Sequence, residues 1–217
     1  MILEDSLIKH QLAELRHDFE GQPNSDWYDE YLRTTDAIDE WRFSSGDYFS
    51  PVPYEAERSG FPSPKIIKKS YETVDEARWR GKYCAGFLAG QHLVTVMPSE
   101  PNIQALDADF FSVSEEGIIT IRSISCKSMH RPGKRSSRVI GMRRLNDLGE
   151  GGKLYLGVGE GGAWFVFIYK YLRERPVTAL GYSNLATSGS GWEYHYDELG
   201  GLSEITSGSG VIWVKKR

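Results

Sequence analysis

Glu193-Tyr-His-Tyr-Asp197 is the stretch of this chain whose residue types come closest to a reaction centre. On a strand, Glu193, His195 and Asp197 share one face, with Trp192, Tyr194 and Tyr196 on the other. An imidazole between two carboxylates can be fixed in one tautomer as a general base, or can join them around a metal ion. The same alternation of polar and aromatic residues is also what any half-exposed strand shows, and no second ligand pair stands elsewhere at matching spacing. His10, Glu14 and His17 follow at helical spacings of four and three and form a further divalent-ion candidate, or a polar stripe facing solvent.

Other chemistries are thinner. Two cysteines, Cys84 and Cys126, have no neighbouring histidine or cysteine and cannot make a disulfide framework. Gly157-Val-Gly159-Glu-Gly-Gly162 fits GxGxxG, but a dinucleotide site needs a helix directly afterwards. Here Ala-Trp-Phe-Val-Phe-Ile-Tyr follows, which reads as a buried strand, so the motif is a hairpin turn. No catalytic residue is assigned, and neither a cofactor nor a resident metal is expected.

Charge is more informative. The net charge is −4, yet residues 1–62 hold fourteen acidic and five basic side chains, and the remainder sixteen and twenty-one. Asp26, Asp29, Glu30, Asp36, Asp39 and Glu40 are interleaved with Trp27 and Tyr28, a makeup suited to a protein-binding surface that steers a cationic partner. Between Gly117 and Asn146 there are eight Arg or Lys and no acid. Arg131, Lys134, Arg135, Arg138, Arg143 and Arg144 form the phosphate or nucleic-acid candidate, although stacking aromatics are absent from that block. The remaining reading is that the acidic and basic parts face each other within one molecule, where exposed pairs contribute roughly 0–1 kcal/mol each.

The elements that must position these groups read as α+β. Residues 2–20 are amphipathic with Leu3, Leu7, Leu12, Leu15 and Phe19 on one stripe, and 26–41 form a second helix with Trp27, Tyr31, Ile38 and Trp41 inward, giving an acidic N-terminal helical hairpin. Between 44 and 64, eleven of twenty-one residues are Gly, Pro or Ser, which disfavours regular structure, while Tyr48, Phe49, Tyr54 and Phe61 predict that this connection packs on the body. Thr73-Val-Asp-Glu76 reads as a capping box opening a further helix towards Leu93, with Gly86 and Gly90 in close packing. After Glu116 a mainly antiparallel, Gly-rich sheet is expected, with strands near 118–124, 138–142, 153–158, 163–172, 176–182, 191–196 and 211–215. Gly149-Glu-Gly-Gly152 recurs at 159–162 and Thr187-Ser-Gly-Ser-Gly191 at 206–210, both taken as reused turns. The division is 1–43, 44–64 and 65–217, or one domain containing all three.

The longest apolar run, 163–169, is far short of the roughly 20 residues a membrane helix needs, and the opening residues do not form a secretory signal, so a soluble cytoplasmic protein is expected. The function this predicts is non-catalytic binding of a basic protein, as an inhibitor or immunity/antitoxin-type protein would do. The alternatives are a nucleic-acid- or phosphate-binding subunit using 122–144, and an enzyme using Glu193, His195 and Asp197.

Overall fold

The computed structural model describes residues 5–22, 26–100, 105–127 and 136–215. Sheet dominates it. Thirteen strands form one antiparallel sheet: β1 (Glu40–Ser44), β2 (Ile66–Ile67), β3 (Tyr83–Leu88), β4 (Gln91–Val96), β5 (Ala105–Val113), β6 (Ile119–Lys127), β7 (Ser136–Gly149), β8 (Gly152–Gly159), β9 (Trp164–Leu172), β10 (Arg175–Ser183), β11 (Ala186–Tyr196), β12 (Leu202–Ser207) and β13 (Gly210–Val214). From β3 to β13 each strand pairs with the next in sequence, and β1 lies between β3 and β2 at the opposite end.

Among the described residues four α-helices accompany the sheet: α1 (Ser6–Glu20), α2 (Trp27–Asp36), α3 (Glu55–Arg58) and α4 (Val74–Trp79). Asp5 caps α1 by accepting from the amides of Leu7 and Ile8. The helix lays Ile8, Leu12, Leu15 and Phe19 on one face of the sheet, against residues that include Met142, Leu154, Leu156 and Val166. Leu7, expected on the buried stripe, is exposed, and Ile8 takes that place. Trp27 and Tyr31 of α2 bury in the same core. The opposite face carries a second core of Leu145, Tyr155, Tyr169, Ala179, Tyr194, Leu202 and Ile205, covered by Val52 and Tyr54 from the Pro/Gly/Ser-rich connection.

Three expectations change. The second helix stops at Asp36 instead of reaching Trp41, because Glu40–Ser44 pairs with Tyr83–Phe87 and is captured as β1. Within that strand Trp41 and Phe43 fall on the helix-bearing face with the period of two of a strand. The helix opened by Thr73 does form, with the Thr73 hydroxyl accepting from Glu76 N at 3.0 Å, but it ends after six residues. Residues 83–96 are then a β-hairpin turning at Ala89-Gly90, both at positive φ as a tight two-residue turn requires. Gly86 is a strand residue held close to Ile38 and Val94. Finally, 187–191 lies inside β11 and only its repeat at 206–210 turns the chain. The glycine motifs at 149–152 and 159–162 both join strands, the second through a 3-10 turn at Glu160–Gly162.

Candidate functional site

The acidic candidates do not act as one array. Asp26 caps α2, accepting from Tyr28 N at 3.1 Å, and also accepts from the Ser137 hydroxyl at 3.1 Å. Glu30 pairs with Arg33 at 2.6 Å and Glu40 with Arg42 at 2.7 Å. Asp39 accepts from Ala89 N at 2.8 Å and so ties β1 to the first hairpin. Trp27 is buried, with the Arg122 guanidinium over its ring at 4.9 Å, and presents nothing to a partner. Asp29 and Asp36 remain exposed on the outer side of α2.

Between α2 and the start of α4 lies a groove of about 290 Å³, lined by Tyr28, Leu32, Thr35, Trp41, Val74 and Asp75 among others, with buried Leu106 at its base. Tyr28 and Trp41 are half-buried and Leu32 is exposed, so apolar surface reaches solvent here. Asp29 and Asp36 stand three residues before and four after Leu32, which makes them its neighbours on the helix surface. Asp75, on the far wall, is ion-paired at 2.6 Å with the fully buried Arg78. An apolar floor with Asp75 in its far wall, and Asp29 and Asp36 beyond Leu32 on the surface of α2, is complementary to a cationic side chain that has an apolar stem.

The basic segment is taken apart by the strand that carries it. Neighbouring side chains of β7 point to opposite faces, so Arg143 and Arg144 never share a surface. Arg144 meets Asp18 of α1 at 2.8 Å, and Asn146 on the same face donates to Gln11 at 3.0 Å. Arg138 is held by Glu160 through two hydrogen bonds of 2.5 and 3.2 Å. Arg131, Lys134 and Arg135 lie outside the described residues.

Glu193 and His195 do share a face of β11, and His195 Nε2 is 3.1 Å from the Thr206 hydroxyl. A register shift between His195 and Tyr196 then removes Asp197 from the row. Asp197 lies past the strand end, where its carboxylate accepts from Gly201 N at 2.7 Å and pairs with Lys215 at 2.9 Å. That lysine and the amide hold its carboxyl below the usual carboxylate range. Glu14 meets His10 at 3.4 Å on exposed surface. Among the described residues no group of three or more His, Cys, Asp or Glu is placed to hold a metal ion. The Cys84 thiol is pushed up to about 12, chiefly by burial, which leaves it unreactive at neutral pH.

A polar seam on the opposite face of the sheet escaped the sequence reading. Asp109 of β5, 1% exposed, accepts from the Ser123 hydroxyl at 2.7 Å and is ion-paired with Arg143. Burial opposes the Arg143 charge, but Tyr155 and Asp109 outweigh it and hold the guanidinium firmly protonated. The connection adds Asp47, whose carboxyl is raised to about 7 by burial first and by the nearby Asp109 and Glu55 next. Asp47 Oδ1 has no hydrogen-bond partner among the described residues. Further along, Arg58 of α3 donates to the Tyr169 hydroxyl and lies 4.1 Å above the Phe167 ring. The seam's strongest groups, Asp109 and Arg143, are thus committed to one another, while Asp47 brings the connection against them. Asp109 was legible only as part of the alternation Leu106, Ala108, Phe110, and Asp47 only as an acid amid aromatics in a Pro-rich stretch.

Among the described residues no helix is long and apolar enough to cross a membrane. No protein-family model matches the chain, and neither a curated protein nor a solved structure matches it.

Proposed function

We propose that this protein is a non-catalytic binding module that takes a basic segment of a partner protein into the groove between α2 and α4, as an inhibitor or an immunity/antitoxin-type protein would. One observation carries the reading: Tyr28, Leu32 and Trp41 leave apolar surface open beside Asp29, Asp36 and Asp75. Aromatic anchors bordered by like charge supply both the contact energy and the steering that a cationic partner requires. The intramolecular engagement of Arg138, Arg143 and Arg144 further favours this surface over the basic segment as the outward-facing one.

The test is retention of host-lysate proteins on the immobilised chain after nuclease treatment, at low and high salt. A cationic protein held at low salt is expected, with affinity falling roughly tenfold or more for the Asp29→Lys/Asp36→Lys variant and falling again for Leu32→Ala. Retention that ignores both salt and these substitutions, or loss of every partner on nuclease treatment, overturns the reading.

A further inference from the structure

An open sheet has two edges, and this chain treats them differently. At one end β2 is two residues long and sits between Pro64-Lys65 and Lys68-Lys69, a short and charged edge that discourages pairing with another chain. At the other end β13 runs for five residues, Gly-Val-Ile-Trp-Val, and is paired on one side only among the described residues. The sequence after it opens on a Lys-Lys-Arg run, of which Lys215 is drawn to Asp197.

The pairing of β13 with β12 shows how its side chains are disposed. Ile205 pairs with Trp213 and Thr206 with Val211, so Ile212 is the extra residue of a bulge. Ile212 and Trp213 both pack on the second core, whereas Val211 and Val214 stand on the face that carries the helices, 56% and 54% exposed. The strand is therefore self-complementary about the point between Ile212 and Trp213. A two-fold axis there sets each Val211 opposite a Val214 of the other copy, and each Ile212 opposite a Trp213. Faces match, every central pair is apolar, and Lys215 falls opposite Gly210.

We propose that two copies of this chain associate through antiparallel pairing of their β13 edges, forming a symmetric dimer with one continuous sheet. The second copy, rather than an unrelated extended peptide, is favoured by this match of register and face within five residues. The surface is remote in sequence and in strand order from the α2–α4 groove, so the proposal stands apart from the binding of a basic partner.

Analytical ultracentrifugation of the full chain tests it. A species of twice the chain mass is expected, and Val211→Lys or Val214→Lys should each weaken dimerisation roughly tenfold or more, since each change occurs twice across a two-fold axis. Ile66→Lys at the opposite edge leaves the dimer intact, and unchanged circular dichroism establishes that the variants fold. Register is read separately: Val211→Cys/Val214→Cys should yield a disulfide-linked dimer on oxidation and Val211→Cys alone should not, with native Cys84 and Cys126 both buried. A single-chain species at the highest soluble concentration overturns the proposal. So does a dimer indifferent to both lysine variants, or one cross-linked through Val211→Cys alone.

Discussion

At the scale of single residues, Asp47 is the group whose titration the fold exposes most clearly. Its carboxyl is raised from an ordinary 3.8 to about 7, so the folded chain binds a proton there that the unfolded chain has already released between those values. The folded state is thus favoured while Asp47 is protonated, and stability falls as pH rises from about 4 to about 7. Asp197 has the opposite sign: its lowered carboxyl contributes stability above the unfolded value that is lost at more acid pH. The Asp47→Asn variant should therefore flatten the decline between pH 4 and 7 and be the more stable protein at pH 8. Urea midpoints of both proteins at pH 5 and 8 measure this, and parallel profiles would show that Asp47 is ionised in the fold without cost. Asp47 also marks a limit of sequence reading. Its neighbours Asp109 and Glu55 are 62 and 8 residues away in sequence, and only the return of the connection across the sheet brings the three together.

At the scale of elements, two close approaches set the packing of the second core. Phe165 lies over Gly157 and Phe167 over Gly181, each ring occupying the space a Cβ would need. These pairs lie directly across strands β8–β9 and β9–β10, where an aromatic ring fills the gap left by glycine. Gly157→Ala or Gly181→Ala should destabilise the fold by about 1–3 kcal/mol through overpacking, read as a lowered urea midpoint at unchanged slope. The later strands were legible because branched and aromatic runs there are separated by glycine turns. β5 was hidden by Asp107 and Asp109, and β12 by Ser203, Glu204, Thr206 and Ser207, polar residues that a strand tolerates when they find partners or face solvent. β1 and β3 were hidden for another reason: Ile38 and Trp41 continue the helical stripe of Trp27 and Tyr31, the Thr73 capping box opens a helix that reads as longer than it is, and pairing between distant segments decides the outcome. The α2 surface was legible from its acids, yet the groove was not, since its far wall comes from α4.

For the whole molecule, the uneven charge resolves into two kinds of pair. Asp18–Arg144 joins α1 to the sheet at partly exposed positions, whereas Asp109–Arg143 is enclosed beneath the connection. A double-mutant cycle should give the first pair a coupling of at most about 1 kcal/mol that fades in 1 M salt. Breaking the second by Asp109→Ala should cost about 3–5 kcal/mol with little salt dependence, because it strands a buried guanidinium. Equal salt sensitivity of the two would mean that the seam is wet. The order of the strands has a temporal consequence as well. Nearly every strand finds its neighbour next in the chain, so the sheet can zip outward from any hairpin with small loop-closure cost. Helix α1 and the connection depart from this order: α1 sits on β7 and β8, and Arg58 reaches Tyr169, each more than a hundred residues later in the chain. At about 5–20 residues per second, α1 is made on the order of 6–25 s before the strands that seat it, and its apolar stripe is uncovered meanwhile. Helix α1 thereby docks only after β7 and β8 have been made, more than a hundred residues further along the chain.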